Sequence, residues 1–291
     1  MELRVLRYFL TVVREENISR AAEILHMTQP TLSRQIAQME EDLGAQLFIR
    51  GRHLILTDAG MMLRHRAEEV VQLVERIEDE FQTREEIAGT MSIGCGGQSA
   101  VSSLLKVLNE FQKIYPKVHY DIYTNNADNI KERLEKGLLD FGVLLEPVDV
   151  SKYDYIRMTD RERWGLFMNV DSPLAGKEFI SKEDLQGIPL ITTNRQSLQT
   201  EIRNWLGKDL ETLQIIGTYN IITNIASIVA SGYAYALTIE GAVSLYDPQK
   251  MVFRPFFPTL SMTSVLAWKK FNPAFGAVGK FIDYFKTVQL K

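Results

Sequence analysis

One cysteine, Cys95, is all the chain contains, so an intramolecular disulfide and a two-cysteine redox switch within one subunit are both excluded. Its apolar, strand-like surroundings read as a buried structural thiol. No signal-peptide pattern opens the sequence, and the apolar stretch over residues 3–13 is too short and too charged to span a bilayer. The expectation is a cytoplasmic protein with no membrane partner. His26, His53, His65 and His119 are scattered, with no His-x-x-x-His pattern, so no metal site is readable. Gly94-x-Gly96-Gly97 would need its third glycine at Ser99, and no Gly-Lys-Ser/Thr follows, which argues against a nucleotide cofactor. Asp140, the most tempting general base, sits at a strand entry where a turn or capping role fits better. The reading is therefore of a protein that is not an enzyme and carries no cofactor.

Lysine is absent before Lys106, and the formal net charge of the 291-residue chain is -4. In the first 58 residues, Arg4, Arg7, Arg14, Arg20, Arg34, Arg50 and Arg52 face Glu2, Glu15, Glu16, Glu23, Glu40, Glu41, Asp42 and Asp58. Such a near-neutral segment is expected to hold arbitrary DNA weakly and in a salt-sensitive way, because non-specific affinity scales with the phosphates neutralised. A hydrophobic content of 45% over this length leaves room for two or three compact units.

What is present is concentrated in residues 17–60. Asn17 is placed to cap a short helix over residues 18–25 that turns Ala21, Ala22 and Leu25 inward. After a turn at His26 and Met27, Thr28 reads as the next cap, and Pro30 falls in a first helical turn, where a missing N–H costs nothing. Leu32, Ile36, Met39 and Leu43 recur at the spacing of one helical stripe, and Gly44 reads as the C-cap. Gln29, Thr31, Ser33, Arg34 and Gln35 are left outward, able to meet base edges or phosphates in a major groove. Leu47 and Phe48 return to the core, and residues 49–57 read as a two-stranded wing whose Arg50 and Arg52 would reach a DNA backbone or narrow minor groove.

Residues 1–60 resemble the N-terminal domain of LysR-type transcriptional regulators. The resemblance lies in Arg20-Ala21-Ala22-Glu23-Ile24-Leu25-His26, Thr28-Gln29-Pro30-Thr31-Leu32-Ser33-Arg34-Gln35-Ile36, Leu43-Gly44-x-Gln46-Leu47-Phe48 and Leu56-Thr57-Asp58-Ala59-Gly60. It implies DNA contact by Arg4, by Thr28, Gln29, Pro30, Thr31, Ser33, Arg34 and Gln35, and by Arg50 and Arg52 on the wing.

From residue 58 to about 83 proline is absent and Gly60 is the sole glycine, while Leu63, Ala67, Val70, Val74, Ile77 and Phe81 step by fours and threes. That spacing reads as a dimerising seam, and a stripe buried within one chain is the other reading. Beyond Gly89, strands near residues 91–95, 118–122 and 141–145 alternate with helices over 99–115 and 129–136. A second set has strands near 166–169, 190–193, 214–218 and 234–238 and a helix over 221–230. The pattern predicts a mostly parallel sheet with a ligand at its strand carboxyl ends. The loops there offer Gly97, Gln98, Ser99, Thr124, Asn125, Thr192, Thr193, Arg195, Tyr219, Asn220 and Thr238 to an effector, with Arg195 pointing to an anionic one.

This half is similar in organisation to the same family's effector domain, through Glu110-Phe111-x-x-x-Tyr115-Pro116, Leu134-Glu135-x-Gly137-x-Leu139-Asp140, Asp171-Ser172-Pro173-Leu174-Ala175 and Ile228-Val229-Ala230-x-Gly232. The fold implied is multidomain. An all-α-rich winged helix-turn-helix with a long linker helix precedes an α/β two-subdomain effector domain resembling periplasmic binding proteins. The expected boundaries are 1–58 for DNA binding, 59–88 for the linker, and 89–291 for the effector domain. Subdomain I would hold 89–162 and 264–291, subdomain II 163–263, with strands crossing near 161–163 and 263–265. The function implied is sequence-specific regulation of transcription in bacteria under a small-molecule effector. The implied partners are an operator duplex, a second copy through 59–88, a homotetramer, and RNA polymerase. Two rival readings stand beside it: an α/β solute-binding or metabolic module whose N-terminal domain serves assembly, and a constitutive DNA binder with a vestigial cleft.

Overall fold

The computed structural model describes residues 2–49, 51, 54–82, 87–97, 99–207, 213–270 and 276–289. They form two compact units, Met1–Gln82 and Thr83–Lys291. In the first, α1 (Leu3–Glu15), α2 (Ile18–Ile24) and α3 (Gln29–Leu43) precede strands β1 (Phe48–Ile49) and β2 (Ile55–Leu56) and the long helix α4 (Asp58–Gln82). Asn17 caps α2 by accepting from the Arg20 amide at 3.0 Å. Gly44 closes α3 in the left-handed region, φ 64°. Leu6, Phe9 and Val12 of α1, Ala21 and Ala22 of α2, and Leu32, Ile36 and Met39 of α3 form one core with Leu47 and Phe48. Leu43 departs from the expected stripe: it is 43% exposed, and the chain has already reversed at Gly44 to send Leu47 and Phe48 inward instead.

Four polar contacts fasten the wing and the start of α4. The Glu40 carboxylate accepts from the amides of Leu47 (2.8 Å) and Phe48 (3.2 Å). The Thr57 hydroxyl donates to the Gln46 carbonyl at 2.6 Å and accepts from the Gly60 amide at 3.0 Å, which caps α4. Gly60 has no alternative there, since a Cβ would stand 2.2 Å from the Leu47 carbonyl oxygen.

The expected seam on α4 is divided. Ala67 and Val71 are buried in the first unit's own core, with Leu63 packed beside them, while Val70, Leu73 and Ile77 stay exposed with Met61 and Met62. Arg7 of α1 pairs with Glu75 (3.6 Å) and Glu78 (3.8 Å) of α4. The helix therefore belongs to the same compact unit as the helix-turn-helix rather than forming a separate 59–88 segment; residues 83–86 of that expected segment lie outside the described residues, and Gly89 opens the next strand.

The second unit runs β3 (Gly89–Cys95), α5 (Ser99–Ile114), β4 (Val118–Thr124), α6 (Ala127–Glu135), β5 (Phe141–Leu145), β6 (Tyr153–Asn169), β7 (Leu190–Thr193), α7 (Gln196–Leu206), β8 (Ile215–Tyr219), α8 (Ile225–Ala230), β9 (Tyr235–Ile239), β10 (Met251–Pro255), β11 (Ser261–Lys269) and α9 (Gly276–Gln289). The strands lie in the order β4-β3-β5-β11-β6-β9-β7-β8, with β10 also on β6. The sheet is mixed rather than mostly parallel. β4-β3-β5 and β9-β7-β8 are parallel triplets, but β11 and β6 join them antiparallel to each other and to their neighbours.

Helices cover both faces of each half. Around β3 and β5, Leu104, Leu108 and Phe111 of α5 meet Phe281 and Phe285 of α9, with Phe281 edge-on to Phe111 at 5.2 Å and to Phe141 at 5.4 Å. Ile130 and Leu134 of α6 close the other face on Leu144, Val265 and Ala267. In the second half, Trp164, Leu166 and Met168 of β6 face α7, and Phe167 faces α8, the two-residue alternation of a strand buried on both sides.

Gly60→Ala is expected to destabilise the first unit by about 1–3 kcal/mol, because the added methyl meets backbone and not a side chain that could move. Hydrogen exchange of α4 and the wing in urea checks it; an unchanged midpoint would contradict the close approach.

Candidate nucleic-acid interface and ligand cleft

The first candidate surface is the start of α3. Gln29, Pro30, Thr31 and Arg34 are exposed there, and Ser33 and Gln35 are half-buried. Thr28 stands at the cap position, yet its hydroxyl meets the Thr31 hydroxyl at 2.7 Å and caps no backbone amide. The first-turn amides therefore keep their donors outward, as an anion site requires. Arg4, near the start of α1, pairs with Glu2 at 3.3 Å. Arg14 and Arg20 share Glu15, Arg7 is held by α4, and Arg64 and Arg66 pair with Glu68 and Glu69. Arg34 has no acidic partner among the residues whose side chains are described. Arg50 and Arg52 lie outside the described residues.

The second candidate is a cavity of about 200 Å³ at the carboxyl ends of the parallel strands. From the sequence-predicted set, the structure brings together Gly97, Thr124, Asn125, Thr193, Arg195, Tyr219, Asn220 and Thr238 around it. Gln98 lies outside the described residues. Ser99 and Thr192 do not line it. Thr193 points in, so its strand neighbour Thr192 points to the opposite face, where it is buried. Ser99 is turned to a carboxylate instead. Sequence reasoning missed the apolar walls, chiefly Ile130, Leu145, Trp164, Leu198, Ile222 and Ile239, because they are ordinary core residues until the topology opens a gap beside them.

That carboxylate is Glu162 of β6, fully buried where β6 passes between the halves. It accepts from the Ser99 amide, from the Ser99 hydroxyl (3.2 Å), and from the amides of Ala100 and Gly241 (3.3 Å each). It thus satisfies the N-terminus of α5 from one half and the turn at Gly241 from the other. Gly241 is required by this closeness, since a Cβ would lie 2.2 Å from the Ser99 nitrogen. Burial pushes the Glu162 carboxyl above the usual carboxylate range, against the pull of those four donors.

Arg195, at the cap of α7, is not free for an anion in this structure. Its Nη1 donates to the Leu145 carbonyl at 2.9 Å and its Nη2 to the Pro147 carbonyl at 2.6 Å, both across the cleft. Burial draws its pKa below the ordinary arginine value, with Asp128 opposing. Asn125 donates to the Tyr123 hydroxyl (2.8 Å), and the Tyr219 hydroxyl donates to the Leu237 carbonyl (2.8 Å). Asp140 accepts from the Ser92 amide at 2.7 Å, a structural role, and Cys95 is buried at 3% exposure. Among the described residues no group of three or more metal-ligating side chains occurs, and no helix is long and apolar enough to cross a membrane.

Two family models match the chain. Residues 3–61 match "Bacterial regulatory helix-turn-helix protein, lysR family", and residues 84–289 match "LysR substrate binding domain". The Hca operon transcriptional activator HcaR of Escherichia coli (strain K12) is 30% identical over 275 residues, 93% of this chain and 92% of that protein. The HTH-type transcriptional regulator AlsR of Bacillus subtilis (strain 168) is 33% identical over 202 residues, 69% of this chain and 67% of that protein. Among solved structures, full-length CbnR complexed with its target DNA superposes with a TM-score of 0.76 at 21% identity, covering 99% of both chains.

A raised folded pKa means that the native state binds more protons than the unfolded state, so stability falls as pH climbs from the ordinary carboxylate range through the raised value. Thermal unfolding across that window should show this slope in the wild type and lose it in Glu162→Gln. The variant should also sit about 1–3 kcal/mol lower, because an amide N–H then faces donors that have lost their acceptor. Parallel pH profiles for the two proteins would remove Glu162 as the source.

Proposed function

The chain belongs to the LysR family of bacterial transcriptional regulators, and on that premise we propose that it reads its operator through α3 as a dimer and answers to a small molecule held at the 200 Å³ cavity. It is a DNA-binding transcription regulator with an effector-binding domain, and the curated relatives it matches are regulators rather than enzymes. The observation that carries the DNA assignment is Arg34. It stands exposed on the second turn of α3 without an acidic partner among the described residues, one turn on from Gln29, Thr31 and the free first-turn amides. A guanidinium there can take a guanine edge or a phosphate.

The dimer rests on α4. One edge of its apolar stripe is buried by α1, while Met62, Val70, Leu73 and Ile77 are left open along the other, the arrangement expected of a helix with a second partner. Paired half-sites require such a dimer; a tetramer, contact with RNA polymerase and action in the cytoplasm belong to the same reading. The effector would bias the relative placement of the two subdomains only if it binds two states of the protein with different affinity.

Fluorescence anisotropy on the intergenic duplex beside the protein's own gene, against a shuffled duplex at low and physiological salt, tests the whole. Preference surviving physiological salt is expected; equal binding abolished by salt would count against an operator there. Arg34→Ala should cost about 1–3 kcal/mol and relax sequence preference, and an unchanged affinity would end its assigned role. Leu73→Glu should shift the sedimenting species from dimer to monomer, since it places a charge in the proposed seam; an unaltered mass would leave that face of α4 without it.

A further inference from the structure

Arg195 is an unusual guanidinium. Its backbone is fixed locally: its amide donates to the Thr193 hydroxyl at 3.2 Å, and its carbonyl accepts from the Gln199 amide at 3.0 Å. Its side chain leaves this loop and reaches the far wall, where both partners are neutral carbonyls at the end of β5 and just beyond it, Leu145 and Pro147. A guanidinium carries five N–H donors. Among the described residues this one uses two, and Asp128 acts on it through space without a direct ion pair. The other tie across the cleft is of a different kind, since Glu162 is fully buried and held by four donors at the strand crossing.

We propose that Arg195 is an exchangeable clasp: its guanidinium ties α7 to the lip at Leu145 and Pro147, and an anionic ligand acts by taking it from those carbonyls. This rests on the reading of the cavity as an effector site. Arg195 lines that cavity with Trp164, Thr193 and Asn194, so a ligand carboxylate entering it meets donors already within reach. The bonds to the two carbonyls already have an ionised donor; a carboxylate supplies an ionised acceptor as well and meets the guanidinium in a bidentate fork, which favours the exchange for an anion over an uncharged isostere. Losing the guanidinium releases the lip, and the ligand's charge is thereby converted into freedom between the two halves. Arg195 is in this sense both the reader of ligand charge and a positioning residue.

Hydrogen exchange on the full-length chain tests the clasp without DNA, so that a failure of operator binding remains a separate result. Arg195→Gln should speed local opening of peptides over residues 144–150 and 193–199 by roughly fivefold to thirtyfold, the effect of losing one to two hydrogen bonds' worth of free energy. Arg195→Lys should open them similarly, because one ammonium cannot span both carbonyls in a fork geometry. The second arm uses a panel of small carboxylates from acetate to succinate with their amides at matched ionic strength. A carboxylate should raise exchange over 144–150 and raise the melting temperature of the wild type, its amide should do neither, the Lys variant should keep part of that thermal shift, and the Gln variant should lose it. Unchanged exchange in Arg195→Gln would overturn the clasp. Wild-type exchange that no carboxylate raises, or a carboxylate that binds the Gln variant equally, would overturn the exchange of partners and reduce Arg195 to a static brace.

Discussion

Everything in the second unit hangs on the antiparallel pairing of β6 with β11. Each parallel triplet could form a small α/β half by itself, but only a pair of strands long enough to serve both can merge them into one hydrogen-bonded sheet. β6 runs 17 residues, pairing with β11 through its first part and with β9 and β10 through its last. The carboxyl ends of β3, β4, β5, β7, β8 and β9 consequently open on one shared gap, and the cavity is a product of connectivity before any lining side chain is considered.

Glu162 and Arg195 are both tied across that gap, and their chemistry sets different roles. Glu162 is buried, has four donors and stands against Gly241, a position that admits no Cβ; disturbing it leaves several backbone amides without a partner at once. Arg195 holds two neutral carbonyls with donors to spare. A joint built on the first is expected to stay fixed while one built on the second yields, which is the division a domain that must change its shape around a ligand requires.

What could be read in the sequence divides along the range of the interactions. The caps at Asn17 and Gly44, the place of Pro30, and the inward Ala21, Ala22, Leu32 and Ile36 depend on residues within a turn or two, and local pattern carries them. The sheet order was only half legible. β6 contains Arg157, Asp160, Arg161, Glu162 and Arg163 in quick succession, a stretch with the charge of a loop that becomes a strand because β11 runs beside it. Helix α7 is different, since its Leu198, Ile202 and Leu206 recur at helical spacing and were legible locally though not read, and Ser99 looks like a ligand contact because nothing local connects it to a glutamate 63 residues away. Of the candidate cleft residues, strand alternation separated Thr193 from Thr192, and Arg195 was singled out by type, but its partners belong to the other half of the sheet.

The same accounting of partners explains how an acidic chain can read DNA. Arginines that satisfy Glu15, Glu68, Glu69, Glu75 and Glu78 shape the first unit but offer little field to a phosphate backbone. Arg34 escapes this neutralisation because the acids of α3, Glu40, Glu41 and Asp42, lie toward its other end, where Glu40 holds the wing and Glu41 and Asp42 hold Gln38. With few charges unpaired, one such domain gains little from counterion release on arbitrary duplex. In the proposed dimer, affinity would come instead from matching base edges and from two domains engaging together, a second domain contributing only when half-sites are correctly spaced. On the proposed dimer, weak unspecific binding and the open apolar edge on α4 would be two sides of one design: the poorer each copy is in free charge, the more recognition would depend on how copies are held, and the more leverage a change in the effector domain would have over it.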